Sequence, residues 1–377
     1  VMIPLFKVAM NLPDALDGVA GALGSGQLEH GPRAEEFERS IGARLGNPFV
    51  TAVNSATSGL QLALSLVHRP GDSRPADRDA EVLCTPLTFE ATNWPVLAEG
   101  LRLRWVDVDP ATLNMDLDDL ARKITPATRA IVLVHWAGYP VDLDRLRAVV
   151  DAGEAEHGVR CVVIEDCAQA WGATFRGRPL GTHGNISVYS FGAIKLLTCG
   201  SGGVVAFPDG EAHRRAKSRR YFGINRHSER RLGEYDVADW GYRFHLNELC
   251  AAVGLANLAA VDDLLERHRS NAAHLDKELA DVPGLEQVAR PDAADPSFWV
   301  YPVKVDDRPG FLRRLAEAGI GTSLIARRND AHSCVADAGV PLPGLDSVHD
   351  RVVHIPVGWW LSDEDLAHIS TTIRAGW

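Results

Sequence analysis

Residues 130–166 read AIVLVHWAGYPVDLDRLRAVVDAGEAEHGVRCVVIED, and the fold is decided here. A β-branched run, Ala130–Val134, leads into an amphipathic helical pattern, Leu143–Ala152, and then into a second β-branched run, Cys161–Ile164. Two strands joined through a helix form a crossover unit, which makes the strands parallel and lays helices over the sheet. The alternation continues outward in both directions. Phe49–Val53, Glu81–Thr85, Leu103–Val108, Ile186–Ser190 and Gly203–Phe207 read as strands, with amphipathic stretches at Ala34–Leu45, Ser58–Val67 and Glu90–Glu99. The expectation is an α/β chain whose large domain holds a mostly parallel seven-stranded sheet covered by helices. From Leu246 a helical pattern runs to about Leu279 and bridges to a smaller C-terminal α+β domain with a strand at Phe298–Val305. The division is expected at residues 1–255 and 256–377.

Composition bounds the function classes. The chain has 377 residues, 46% hydrophobic and 24% charged, with a formal net charge of −11. That field repels nucleic acid and anionic membranes, so neither is an expected partner, and an anionic substrate must be held by local cations. No apolar run approaches the roughly 20 residues of a membrane span. Val1–Leu28 lacks the basic, apolar and cleavage regions of a signal peptide, so a cytoplasmic protein is expected. The six cysteines lie far apart without C-x-x-C spacing, which points to reduced, mostly buried thiols. No H-E-x-x-H pattern marks a metal site, and His135, His245 and His332 read as polar-core or surface residues.

Open α/β sheets bind ligands beyond the carboxyl ends of their strands. Lys195 follows a strand in SVYSFGAIKLLTCGSGG, residues 187–203. An apolar surround disfavours ammonium and lowers the pKa, as a Schiff-base lysine requires; the alternative is a lysine snorkelling out of a loop. Asp166 ends the strand that begins at Cys161. A carboxylate there can keep a pyridine nitrogen protonated and a pyridoxal 5′-phosphate (PLP) ring electron-withdrawing, although the position also suits a helix N-cap. Residues 53–60, VNSATSGL, supply a strand, a small-residue turn and a helix start whose amides and dipole face an anion.

Together these segments resemble the DegT/StrS family of PLP-dependent sugar aminotransferases, of the aspartate-aminotransferase fold (fold type I). The resemblance runs from Ile3–Leu5 and Glu36–Glu38 through Asn54–Gly59, Thr85–Phe89, Val106–Asp109, Glu165–Ala170 and Ser190–Gly203 to Gly241–Asn247. It implies that Lys195 is the Schiff-base lysine and that Asp166 partners the pyridine nitrogen. Gln169 would bond near the phenolic oxygen, Phe89 would stack on the ring, and Thr57, Ser58 and Ser190 would hold the phosphate. It further implies a homodimer with shared sites, in which Asn247 reaches the neighbour's phosphate. Departures are Gln169 where many members have His, Phe89 for Trp or Tyr, Ser201 where Glu is commoner, and a longer loop at Pro70–Ala80.

The reaction implied is amino transfer from an amino acid, by resemblance glutamate, to a keto sugar, nucleotide-linked above all. A keto-cyclitol or unlinked keto sugar is the alternative acceptor. The family's dehydratases replace the lysine with histidine, and a non-catalytic regulator would lack the lysine or the aspartate, so both readings sit badly with Lys195 and Asp166. A diphosphate would need cations. Arg219, Arg220 and Arg226 in the arginine-rich stretch 214–231 are expected at the pocket mouth unless that stretch is a solvated basic face, with Arg327 and Arg328 as a second pair.

Overall fold

The computed structural model describes residues 2–67, 80–224, 236–324 and 327–377, without the side chains of 336–338. Most of the expected loop at 70–80, and Arg226, therefore lie outside the described residues. In chain order come α1 (Leu12–Ser25), α2 (Pro32–Leu45), β1 (Val50–Val53), α3 (Ala56–Ser65), β2 (Glu81–Cys84), α4 (Trp94–Ala98) and β3 (Arg102–Trp105). Then follow α5 (Leu117–Lys123), β4 (Thr128–Val134), α6 (Leu143–His157), β5 (Val162–Asp166), the short pair β6 (Thr174–Phe175) and β7 (Arg178–Pro179), β8 (Ile186–Ser190), β9 (Gly203–Ala206) and α7 (Gly210–Arg220).

The central sheet has seven strands in the order β1-β9-β8-β5-β4-β2-β3. All pairs are parallel except the two that β9 makes with β8 and β1. Because β9 alone is reversed, the carboxyl ends of β1, β2, β4, β5 and β8 share one edge. Strands buried on both faces, as β1, β2, β9 and nearly all of β4 and β5 are, need the continuous apolar runs that the sequence displays. Gly59 lets α3 lie close on this sheet: a Cβ there would come within 2.8 Å of Val188 Cγ1.

The long helical pattern after Leu246 is two helices, α8 (Glu248–Leu258) and α9 (Val261–Glu278), with a turn at 259–260. Two features make the break. Asn257 donates its amide to Thr198 O at 2.8 Å and accepts from Asn11 N, tying the end of α8 to the large sheet's layer. Asp262 and Asp263 then suit the first turn of a new helix. The expected Glu90–Glu99 helix is also split, into a 3-10 turn at Glu90–Thr92 and α4, whose Pro95 lies in its first turn.

Beyond α9 a three-stranded antiparallel sheet forms from β10 (Leu285–Gln287), β12 (Tyr301–Val305) and β13 (Val352–Ile355), flanked by α10 (Arg308–Glu317), α11 (Pro343–Val348) and α12 (Asp363–Arg374). The expected strand at Phe298–Val305 thus starts at Tyr301. β11 (Ala294–Asp295) instead reaches back to pair with β6. The N-terminal segment crosses as well: Ile3 exchanges backbone bonds with Gly319 and Gly321 at 2.8 Å each. No described helix is long and apolar enough to cross a membrane.

Candidate active site

The residues singled out from the sequence gather along the shared carboxyl edge. Asp166 closes β5 and is 4% exposed. Its Oδ2 accepts from Thr92 Oγ1 at 2.7 Å and its Oδ1 from Ala168 N at 2.9 Å. Thr92 is bonded in turn to Thr88 Oγ1 at 2.7 Å, so the 3-10 turn after Phe89 delivers a hydroxyl to the carboxylate. Burial pushes the Asp166 carboxyl up from its ordinary value, while the Thr92 and Ala168 bonds and the Lys195 charge oppose that rise.

Lys195 sits on the loop between β8 and β9. The loop is closed by Phe191 N to Gly202 O at 2.9 Å and Cys199 N to Phe191 O at 2.9 Å, and is anchored by buried Phe191 and Leu197. Its amine makes no hydrogen bond to any described residue and lies 3.8 Å from the centroid of the Trp299 indole. Burial lowers its pKa to about 8, with Asp166 pulling the other way. An amine whose pKa lies at about 8 gives up its proton far more readily than an ordinary lysine, and can attack a carbonyl carbon and then carry a proton.

Gln169 is held by its carbonyl end. Oε1 accepts from Ala137 N at 2.6 Å, which leaves the amide nitrogen with no partner among the described residues and able to donate. This corner of the backbone is strained. Ala137 (φ 56°) and Phe298 (φ 51°) both adopt the left-handed region, and they are tied by Trp299 N to Ala137 O at 3.0 Å. Each such residue costs about 1–3 kcal/mol and persists only where packing over-determines it.

The turn after β1 opens α3. Ser55 caps it by accepting from Ser58 N at 3.1 Å, and the Ser55 and Ser58 hydroxyls touch at 2.9 Å. Thr57 is exposed and Ser58 partly buried at this helix start, and Ser190 ends β8. Gly203 is needed where they converge, since a Cβ there would lie 3.0 Å from Ala56 N and 2.5 Å from Tyr189 O. Phe89 presents a ring that is 57% exposed. Asn247 is exposed and caps α8 through Cys250 N at 2.8 Å, which uses its carbonyl and leaves its amide protons.

The arginine expectations change, and that for His135 does not. Arg219 and Arg220 do not border a pocket mouth as free cations. Arg219 is fully buried, bonded in two parallel contacts to Asp239 at 2.9 and 2.7 Å and to Ser65 O at 2.7 Å. Arg220, 3% exposed, bonds Glu38 at 2.5 Å, Ala52 O at 2.6 Å and His30 at 3.0 Å. Arg219 ties α7 to α3 and to Asp239, and Arg220 ties it to α2 and β1; these partners come from distant elements that local reading does not see. Arg328 is likewise paired, with Asp330 and Asp346, whereas Arg327 is exposed. His135 is a core residue. Its Nδ1 accepts from Val141 N at 3.0 Å, so its Nε2 carries the proton toward Glu165 at 2.9 Å, and Glu165 also takes the Asn185 amide.

Thr92, Trp299 and Phe6, whose ring stacks on Trp299 at 4.9 Å, were not singled out from the sequence. Thr92 lay one turn beyond the Thr85–Phe89 motif and was legible by proximity. The two aromatics carry no local signal.

Comparison with known proteins follows the same outline. A profile of the DegT/DnrJ/EryC1/StrS aminotransferase family matches residues 13–374. The structure is similar to that of the sugar aminotransferase CalS13 from Micromonospora echinospora, with 63% identity, a TM-score of 0.96 and 100% of both chains covered. It is similar also to AtS13 from Actinomadura melliaura, with 59% identity, a TM-score of 0.95, and 100% of this chain and 99% of that chain covered. At 24% identity, where likeness speaks for the fold alone, Spr1654 from Streptococcus pneumoniae in its PLP form gives a TM-score of 0.87 over 100% of this chain and 98% of that one.

Proposed function

The chain belongs to the DegT/DnrJ/EryC1/StrS aminotransferase family, and from that premise we propose that it transfers an amino group from glutamate to a nucleotide-linked keto sugar. It is a sugar aminotransferase with PLP as cofactor, built on the type I fold. The observation that carries the reading is a Lys195 amine with no hydrogen bond to any described residue, within electrostatic reach of buried Asp166 at the carboxyl edge of the sheet.

The donor set fits the cofactor part by part. The α3 start with Thr57 and Ser58, together with Ser190, suits its phosphate. Asp166 suits its ring nitrogen, the free amide nitrogen of Gln169 its phenolic oxygen, and the exposed face of Phe89 its ring. When bound, PLP supplies a carbonyl carbon that exchanges amines and a ring that withdraws electrons while its nitrogen is protonated.

The chain's own residues do the rest. Lys195 would hold the cofactor through its amine, which makes no hydrogen bond to any described residue. Once free, the same amine would accept and return a proton at the reacting carbon, a role suited to a group whose pKa lies at about 8. Asp166 would face the ring nitrogen, and its two hydrogen bonds fix the carboxylate plane. The buried Trp299 indole lies against the amine.

The same proposal includes a homodimer with shared sites and a division into domains 1–255 and 256–377. The exposed amide protons of Asn247 support a reach toward a neighbour. So does the outer stripe of α1, where Leu12, Leu16 and Leu23 recur on one helical face and are 58%, 61% and 56% exposed. The test is amino transfer from glutamate to one keto sugar offered with and without its nucleotide diphosphate. A strong preference for the linked sugar upholds the reading. Equal use of the free sugar or a keto-cyclitol overturns the nucleotide assignment and leaves the aminotransferase.

A further inference from the structure

The Lys195 amine lies against an aromatic ring. Its Nζ lies 3.8 Å from the Trp299 ring centroid, inside the distance at which an ammonium is attracted to an indole face. Trp299 is 7% exposed, and its ring is fixed from three sides. Nε1 donates to Ile194 O at 3.0 Å, the carbonyl immediately before Lys195. The backbone N–H donates to Ala137 O at 3.0 Å across the two left-handed residues. Phe6 stacks on the indole at 4.9 Å with 28° between the planes.

Phe6 belongs to a segment that is itself strapped down. Ile3 bonds to Gly319 and Gly321, Trp360 Nε1 donates to Pro4 O at 3.0 Å, and Lys7 lies 5.4 Å above the Trp359 ring. A chain of contacts therefore runs from the N-terminal segment through Phe6 and Trp299 to the lysine. Such a stack, a buried indole against a partly buried Phe6, exceeds what packing behind a loop requires, because the indole donates to the loop that carries Lys195 and offers its face to the amine.

We propose that Trp299 is a positioning residue for Lys195, its indole face holding the protonated amine whenever the lysine is not bonded to the cofactor, with Phe6 setting the plane of the indole. The proposal rests on Lys195 being the attachment point of PLP. Burial drives the amine to lose its proton. The indole face and the Asp166 carboxylate favour keeping it, and Asp166 is the charged group that faces the amine. His135, behind Asp166, presents its Nε2 proton to Glu165 rather than to the lysine. A lysine that must both accept and return a proton needs these opposing influences in near balance.

The test uses the apo-protein, so that it does not depend on turnover. The pH dependence of Lys195 acylation by an amine-reactive ester, read peptide by peptide by mass spectrometry, gives the apparent pKa of the amine. A cation–π contact of about 0.5–2 kcal/mol corresponds to roughly 0.4–1.5 pH units. Trp299→Leu should lower the apparent pKa by that amount, Trp299→Phe by less, and Phe6→Leu should move it in the same direction by a smaller step. A residue that merely fills space would leave the amine's pKa where it was. An unchanged value in Trp299→Leu, or equal shifts in the Leu and Phe variants, overturns the proposal. If Trp299→Leu does not fold, an unchanged value in both Trp299→Phe and Phe6→Leu does the same. Borohydride fixation of PLP on the wild-type chain separates the two claims, since a label away from Lys195 removes the attachment reading whatever the apo-protein shows.

Discussion

Asp166→Asn isolates the charge at the base of the site. The carboxylate oxygens accept one bond each, from Ala168 N and from the Thr92 hydroxyl. In the variant the amide oxygen keeps the Ala168 bond. The amide nitrogen faces Thr92, whose hydroxyl turns to accept while giving its own proton to Thr88. Shape and hydrogen bonding are thereby retained, and the loss reports the charge. An adjacent carboxylate shifts a partner's pKa by about 1–3 units, or roughly 1.4–4 kcal/mol, which predicts a rate lower by about ten- to a thousandfold. A second effect has a definite sign. Asp166 raises the Lys195 amine, so its removal drops that amine below about 8 and moves the lysine-limited arm of the pH profile to lower pH. Single-turnover absorbance kinetics with glutamate across pH, on protein of measured cofactor content, reads both effects. Wild-type rates with cofactor bound, or a pH arm moving upward, would refute the role of Asp166.

Other expectations follow from single contacts. Thr92→Val removes the donor to Asp166 Oδ2, and a bond to a charged group is worth about 1.5–3 kcal/mol; transamination should fall by roughly ten- to a hundredfold and recover in Thr92→Ser. Glu38 is buried, which alone would raise its pKa, but Arg220, His30 and the Ala52 amide hold it at about 2. Its depressed value stabilises the fold fully above the unfolded carboxyl pKa and progressively less as pH falls toward 2, so Glu38→Gln should cost roughly 3 kcal/mol in urea unfolding at pH 7 and much less at pH 3. Arg219→Gln removes a fully buried guanidinium together with its contacts to Asp239 and Ser65 O, so it should lower the melting temperature while leaving the KM for the keto sugar nearly unchanged in whatever protein remains folded. Mixing Lys195→Ala and Asn247→Ala dimers should restore activity through hybrid dimers; hybrids no more active than their parents would argue against the shared site.

The strands were legible because parallel strands covered on both faces leave β-branched runs that nothing else in a chain of this composition explains. Lys195 and Asp166 were legible for a related reason, since a charged residue at the end of such a run stands out against its apolar neighbours. What stayed hidden was set by contacts between distant segments. The arginines of α7 read as cations at a pocket mouth because their partners, Glu38 and Asp239, come from other elements. Trp299 reads as one more apolar residue near a strand, and only folding brings its face to Lys195. The break between α8 and α9 escaped because alanines at 259 and 260 favour helix, while the tether at Asn257 is tertiary.

The central claim, that Lys195 carries the cofactor, is tested most directly by reducing the yellow holoprotein with borohydride, digesting it and sequencing the labelled peptide by mass spectrometry. The account predicts one pyridoxyl group, on Lys195 in the peptide that spans SVYSFGAIKLLTCGSGG, and none on Lys195→Ala. A label on another lysine, or a full label on the Lys195→Ala protein, would contradict it.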